Sequence, residues 1–161
     1  SNLKLASGFC EVSKLNKAGI NIALGTDGCA SNNDLDMFSE MRTAALLAKA
    51  VAEDASALPA HQALEMATIN GAKALGLENV IGSLEAGKYA DITAINLDSL
   101  NSIPLYNPVS HLVYSTQASQ VSHVWCAGQL LLDEGRFTKL DSEAIKSDSA
   151  KWQAILADAD Q

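Results

Sequence analysis

Asp27 is the residue whose surroundings point most directly to chemistry. It lies in Gly25-Thr26-Asp27-Gly28, immediately after the largely apolar run 20–24. A carboxylate just past the carboxyl end of a buried strand is where α/β folds place catalytic groups. Flanking glycines let backbone approach a ligand closely. A carboxylate there is both a hard oxygen ligand for a cation and a proton acceptor. The same tetrapeptide also reads as a turn whose Asp bonds its own backbone or caps a helix. The histidines add no partner. His61 falls in the first turn of an expected helix, His111 in an irregular stretch, and His123 alternates with Val121 and Trp125 on a strand face. The sequence has no HxH, HExxH, GxGxxG, P-loop or GxSxG motif. If Asp27 binds a metal, its other ligands come from outside this chain. Cys10, Cys29 and Cys126 form no CxxC pair and read as buried or half-buried thiols of a reducing cytoplasm. A nucleophilic Cys29 beside Asp27 has no nearby His to activate it.

The elements that must position Asp27 follow from the pattern around it. Val12, Leu15 and Ala18 recur at helical spacing, and Gly19 ends that helix. Residues 20–24 read as a buried strand. The polar loop 28–34 is rich in cap residues, and Asn32, Asn33 and Asp34 are read as capping the long helix expected over 35–52. Met37, Met41, Ala44, Ala45, Ala48 and Val51 give that helix its apolar stripe. Pro59 opens a second helix, expected over 59–75, lined with small residues and closed by Gly76 and Leu77. From Ile81 the period changes. Residues 91–97 are strand-like, Pro104 and Pro108 break up an irregular stretch, and 121–126 with 129–132 form a hairpin across Ala127-Gly128. The tail 143–157 reads as a closing helix. The chain thus divides near residue 78, α/β before and mostly β after.

Composition bounds the partners. The 161 residues carry 11 Lys and Arg against 19 Asp and Glu, a net charge of −8. That balance argues against nucleic acid or an anionic membrane, whose phosphates need cationic contacts. No apolar run reaches the roughly 18 residues of a membrane span. With 48% apolar and 19% charged residues, the chain can bury a core. It opens Ser1-Asn2 with neither Met nor signal peptide, which reads as processing, a fragment or a tag scar.

Several ordered motifs carry a family resemblance. They are Ser1-Asn2-Leu3-Lys4-Leu5-Ala6-Ser7-Gly8, Leu24-Gly25-Thr26-Asp27-Gly28-Cys29-Ala30-Ser31-Asn32-Asn33 and Leu35-Asp36-Met37-Phe38-Ser39-Glu40-Met41. Ala67-Thr68-Ile69-Asn70-Gly71-Ala72-Lys73-Ala74-Leu75-Gly76 and the stretch from Ile81-Gly82-Ser83 to Tyr89-Ala90-Asp91 follow in the expected order. Together they resemble the amidohydrolase superfamily, in its branch of methylthioadenosine/S-adenosylhomocysteine deaminases and triazine chlorohydrolases.

The resemblance implies a fold: the C-terminal portion of a metal-dependent (β/α)8 TIM barrel followed by part of an appended β-sandwich. Residues 1–77 would be the last strands and helices of the barrel, 78–140 the C-terminal share of the sandwich, and 141–161 a closing helix. Residues 20–24 would be the eighth barrel strand, and residues 1–8 the loop leaving the seventh. Asp27 matches the family's Asp at the end of the eighth strand, a ligand of one divalent metal, usually zinc. The family's HxH pair, its further metal-binding His, and its proton-handling Glu and His have no counterpart here and belong upstream of Ser1. A whole barrel needs about 200 residues or more, so the missing Met reads as truncation and Ser1-Asn2 as family motif.

The implied chemistry is metal-assisted deamination of an adenine-type ring, with Asp27 as metal ligand and general base, and Asn2 and Ser31 lining the pocket. Ordinary loop hydrogen bonding and helix capping are the alternatives for Asn2 and Ser31. Hydrolysis of a triazine or another heterocycle is the competing reaction. A third reading is an isolated, inactive piece that needs its N-terminal part. Expected partners are a small purine nucleoside or heterocycle, the missing N-terminal part, and a second copy in a cytoplasmic homo-oligomer. The piece alone is expected to fold poorly or associate, because the missing strands would leave an edge and an apolar face uncovered.

Overall fold

The structure is a computed structural model and describes residues 2–159. Ser1 of the first motif, and residues 160 and 161 of the terminal segment, lie outside the described residues. Four helices come first: α1 (Val12–Lys17), α2 (Met37–Ala52), α3 (Ala60–Met66) and α4 (Ile69–Ala74). Strand β1 (Ile92–Ile95), helix α5 (Pro108–Tyr114), strands β2 (Val121–Cys126), β3 (Gln129–Asp133) and β4 (Arg136–Phe137), and helix α6 (Ser142–Ala159) follow.

The caps explain most of the boundaries. Helices α1 and α4 both end in the left-handed glycine turn expected of them. Gly19 N–H and Ile20 N–H donate to Asn16 and Leu15 carbonyls, and Gly76 N–H and Leu77 N–H donate to Lys73 and Ala72 carbonyls. The long helix starts two residues later than expected, because Asp36 caps it: its Oδ1 accepts from Phe38 N–H at 2.8 Å and its Oδ2 from Ser39 Oγ at 2.7 Å. Asn32, Asn33 and Asp34 are therefore not its caps. Leu35, at φ +50°, turns the chain away before the helix begins. The helix expected over 59–75 divides into α3 and α4. Thr68, at φ −132° and ψ −99°, breaks it, and its hydroxyl donates back to the Leu64 carbonyl at 2.7 Å.

Residues 20–24 are the main correction to the expected elements. No strand is assigned there, and Ile20 is 51% exposed rather than buried. A strand exists only with a hydrogen-bonded neighbour, and β1 through β4 pair only with one another. The segment keeps the period-two alternation of a strand: 22, 24 and 26 are half-buried, while 21, 23 and 25 are exposed. It is fastened to the helices instead. Leu24 N–H donates to the Met66 carbonyl at 2.9 Å, Asn70 Nδ2 to the Ile22 carbonyl at 3.2 Å, and Asn21 Nδ2 to the Asn70 carbonyl at 3.0 Å.

The sheet is an antiparallel meander, β1-β2-β3-β4. Ala127 and Gly128 both have positive φ, and so do Glu134 and Gly135. Two consecutive positive-φ residues make the hairpin turns that suit twisted strands. The second of these turns adds β4, which the sequence reading left out.

Helix α5 is the other element the sequence reading missed. Pro108 does not break the chain there; it opens a helix at the first position, where its absent N–H costs nothing. Asn107 caps it by accepting from Ser110 N–H at 3.0 Å. Val113 is fully buried and joins Met41, Ala45, Leu58, Ala63 and Met66 in one core. The segment after residue 78 thus returns a helix onto α2 and α3. Arg42 Nη2 ties that return to α2 by donating to the Thr116 carbonyl at 2.6 Å.

Helix α6 projects Trp152, Ile155 and Leu156 into solvent, at 63%, 56% and 61% exposure. Among the described residues no helix is long and apolar enough to cross a membrane.

Candidate active site

Asp27 lies at a cleft of about 630 Å³ between the segment 22–34, the face of α2 that carries Glu40 to Ala48, and the turn formed by residues 2–8. The sequence-predicted residues Asn2, Asp27 and Ser31 all line it. They come from two stretches of chain that only folding brings together.

Local backbone sets each of them. Asp27 adopts φ +64°, the left-handed region that Asp tolerates better than most residues. Its Oδ1 accepts from Gly28 N–H at 2.7 Å, and its carbonyl accepts from Thr26 Oγ1 at 3.1 Å. The turn reading of Asp27 is met: its side chain bonds the backbone of the next residue. A Cβ added at Gly25 or Gly28 would meet no other protein atom within 4 Å, so the space beside Asp27 is open. Ser31 sits in a single turn, where Ser31 N–H and Asn32 N–H both donate to the Gly28 carbonyl at 3.0 and 2.9 Å. Ser31 does not cap α2, since Asp36 does. The Asn2 carbonyl accepts from Ser7 N–H at 3.0 Å and closes the 2–8 turn.

Among the lining residues not expected from the sequence are Lys4, Asn32 and Glu40. Lys4 Nζ donates to Asn33 Oδ1 and joins the two loops of the cleft. Asn32 Nδ2 donates to Glu40 Oε1 at 2.6 Å. The available signal was Glu40 in the first turn of an expected helix, just after a loop of amide side chains.

The other chemistry-bearing groups lie elsewhere. His61 is exposed on α3. His111 Nδ1 approaches Ser115 Oγ at 3.3 Å within α5. His123 stacks on Trp125 with ring centroids 5.4 Å apart, and its Nε2 lies 3.2 Å from Asp133. None of the three histidines lines the cleft. Cys10, Cys29 and Cys126 are all exposed, which corrects the expectation of buried thiols; they fall on turns, loops and the last residue of β2. Among the described residues no group of three or more His, Cys, Asp or Glu gathers to hold a metal. The Asp27 carboxylate has the chemistry of one oxygen ligand, and the described residues supply no cluster around it.

Asp27 thus lies beside a cleft at the end of an extended segment, with Gly25 and Gly28 close to it in the chain. The amidohydrolase family model matches residues 1–131, and the chain belongs to the amidohydrolase family. It is 54% identical over 156 residues to 5-methylthioadenosine/S-adenosylhomocysteine deaminase of Teredinibacter turnerae, covering 97% of this chain and 35% of that protein. It is 46% identical to 5'-deoxyadenosine deaminase of Methanosarcina barkeri, covering 94% and 34%. Among solved structures, an adenosine deaminase from Xanthomonas campestris with bound zinc superposes with a TM-score of 0.94 at 49% identity, covering 97% of this chain and 36% of that one. A zinc complex of atrazine chlorohydrolase from Arthrobacter aurescens superposes with a TM-score of 0.85 at 29% identity, covering 93% and 33%. The chain spans about a third of the length of the curated relatives it matches.

Proposed function

We propose that this chain is the C-terminal part of a zinc-dependent deaminase acting on the adenine ring of methylthioadenosine or S-adenosylhomocysteine. The observation that carries the reading is the meeting of Asn2, Asp27 and Ser31 at one cleft in a chain of this family. The names of its relatives supply the substrate class.

A divalent ion such as zinc, when bound, would supply an acidified water, its pKa lowered toward about 7. Asp27 would hold one ligand position of that ion. Its carboxylate, oriented by Gly28 N–H, would also accept the proton of the attacking water. In the overall reaction a water oxygen would replace the amino group on the ring carbon, and ammonia would leave carrying the proton that Asp27 took up. Asn2 and Ser31 would line the substrate side, with Lys4 and Asn33 bracing the loops that carry them.

We assign residues 1–77 to the last strands and helices of the barrel, 78–140 to the C-terminal share of an appended β-sandwich, and 141–161 to a closing helix. Helix α5, packed on α2 and α3, stitches the first two together. Leu3, Leu5, Phe9 and Ile20 are more than half exposed. That is the surface the missing N-terminal part would cover. A homo-oligomer in the cytoplasm completes the reading.

The likeness to atrazine chlorohydrolase favours a second reaction, hydrolysis of a triazine or another heterocycle at the same Asp. In the full-length protein, Asp27→Ala is expected to lower deamination about 10³-fold or more with an unchanged circular dichroism spectrum. Turnover at the parent rate would refute the role. A panel of methylthioadenosine, S-adenosylhomocysteine and a chlorotriazine separates the two reactions.

A further inference from the structure

Asp27 is connected to the rigid helix α2 by a continuous line of hydrogen bonds. Glu40 lies in the first turn of α2, where the helix dipole favours a carboxylate. Its Oε1 accepts from Asn32 Nδ2 at 2.6 Å, a short charge-assisted bond between two half-buried side chains. Asn32 N–H donates in turn to the Gly28 carbonyl at 2.9 Å. Gly28 N–H donates to Asp27 Oδ1 at 2.7 Å. The other end of the Asn32 amide is also engaged: its Oδ1 accepts from Asp34 N–H at 3.2 Å.

This loop needs an outside anchor. Residues 25–35 contain neither helix nor strand, and two non-glycine residues, Asp27 and Leu35, hold left-handed φ. Such conformations persist only where the surroundings over-determine them. Asn32 suits the task because it donates to a carboxylate while accepting from backbone. An acid in its place would oppose Glu40, and an apolar residue would leave Glu40 without this donor.

We infer that Asn32 and Glu40 are positioning residues that set the Asp27 carboxylate from helix α2. The inference rests on the role of Asp27 proposed above. It separates Glu40, which also lines the cleft, from a catalytic acid or base: the Glu40 carboxylate serves as an acceptor for Asn32, and its charge is dispensable.

The test uses the full-length enzyme loaded with zinc and methylthioadenosine as substrate. Asn32→Ala and Glu40→Ala are each expected to lower kcat about 10–100-fold and to release zinc at a correspondingly lower chelator concentration, with KM changed less than about threefold. The double variant is expected to fall no further than the worse single, because both interrupt one line of bonds. Glu40→Gln keeps an acceptor for Asn32 and is expected to keep kcat within about threefold. A large loss in Glu40→Gln would make Glu40 a proton-transfer group and overturn the inference. Asn32→Asp is nearly isosteric but lacks the donor, and serves if Asn32→Ala does not fold. Pairing it with Glu40→Gln reverses donor and acceptor, and is expected to recover about tenfold of the loss; no recovery overturns the inference. Asp27→Asn is the control. If it turns over normally, the reading of Asp27 fails. If it is inactive while Asn32→Ala and Glu40→Ala keep parental kcat and zinc retention, only the positioning role fails.

Discussion

The extended segment 20–26 and the sheet β1–β4 solve the same backbone problem in opposite ways. Each sheet strand finds its hydrogen-bonding neighbour within this chain, and the two tight turns leave consecutive strands side by side. The segment 20–26 has strand-like alternation but no strand beside it among the described residues. It borrows its bonds from Met66 and Asn70 instead. The core around α2, α3 and α5 is small, with Ala45, Ala48 and Ala63 among its buried residues. Larger apolar side chains stand exposed both in the 2–9 stretch, as Leu3, Leu5 and Phe9, and further along the chain, as Leu84, Leu100 and Tyr106. The sheet hairpins are locally closed, whereas the segment 20–26 takes its hydrogen bonds from α3 and α4.

The sharpest way to break this contrast is to isolate the chain. The 161 residues alone are expected to self-associate or unfold over a broad range and to bind no stoichiometric zinc. Sharp monomeric unfolding, or tight one-to-one zinc by metal analysis, would show the cleft side to be as self-contained as the sheet. Next in size is Met66→Ala in the full-length protein. Met66 is 2% exposed and its carbonyl anchors Leu24, so a loss of about 3 kcal/mol in urea unfolding is expected. A loss below about 1 kcal/mol would show that the segment and the helices do not share a core.

A pair of glycines sharpens the comparison further. A Cβ on Gly82, at φ +89°, would stand 2.7 Å from Ala72 Cβ and 3.0 Å from Ile69 Cα. On Gly128, at φ +78° in the hairpin, it would meet nothing within 4 Å. Gly82→Ala is therefore expected to cost about 2–3 kcal/mol and Gly128→Ala about 1 kcal/mol. Equal shifts in Tm would show that close packing on α4 contributes nothing.

The smallest effect is electrostatic. The Ser83 hydroxyl, and after it Lys88, hold the Glu85 carboxyl below its usual pKa. A folded pKa below the unfolded one stabilises the fold above the unfolded value, and that contribution is lost as pH falls through the folded value. Ser83→Ala is expected to raise the Glu85 pKa in an NMR titration, and an unmoved midpoint would remove Ser83 as its cause.

The sequence was most legible where structure is local. Gly19 and Gly76 end helices, and Ala127-Gly128 turns a hairpin, because each acts through backbone within a few residues. It misled where one residue type has two uses. Pro108 reads as a breaker but opens α5 once Asn107 caps it. Asn32 reads as a cap, yet its amide reaches Glu40 eight residues on. Asp27 was legible through its motif, whereas its connection to α2 through Asn32 was not, since that depends on how the loop folds back.

The amino-acid order by itself determined the family motifs, the candidate Asp27, the apolar stripe of α2 and the hairpin β2–β3. All of these are properties of spacing along one stretch of chain. Tertiary structure alone decided that Asn2, Asp27 and Ser31 share a cleft and that α5 completes the helical core. It also decided that residues 20–24 form no strand here. Each of those outcomes depends on a partner distant in sequence: a hydrogen bond or a buried contact exists only when both sides are present.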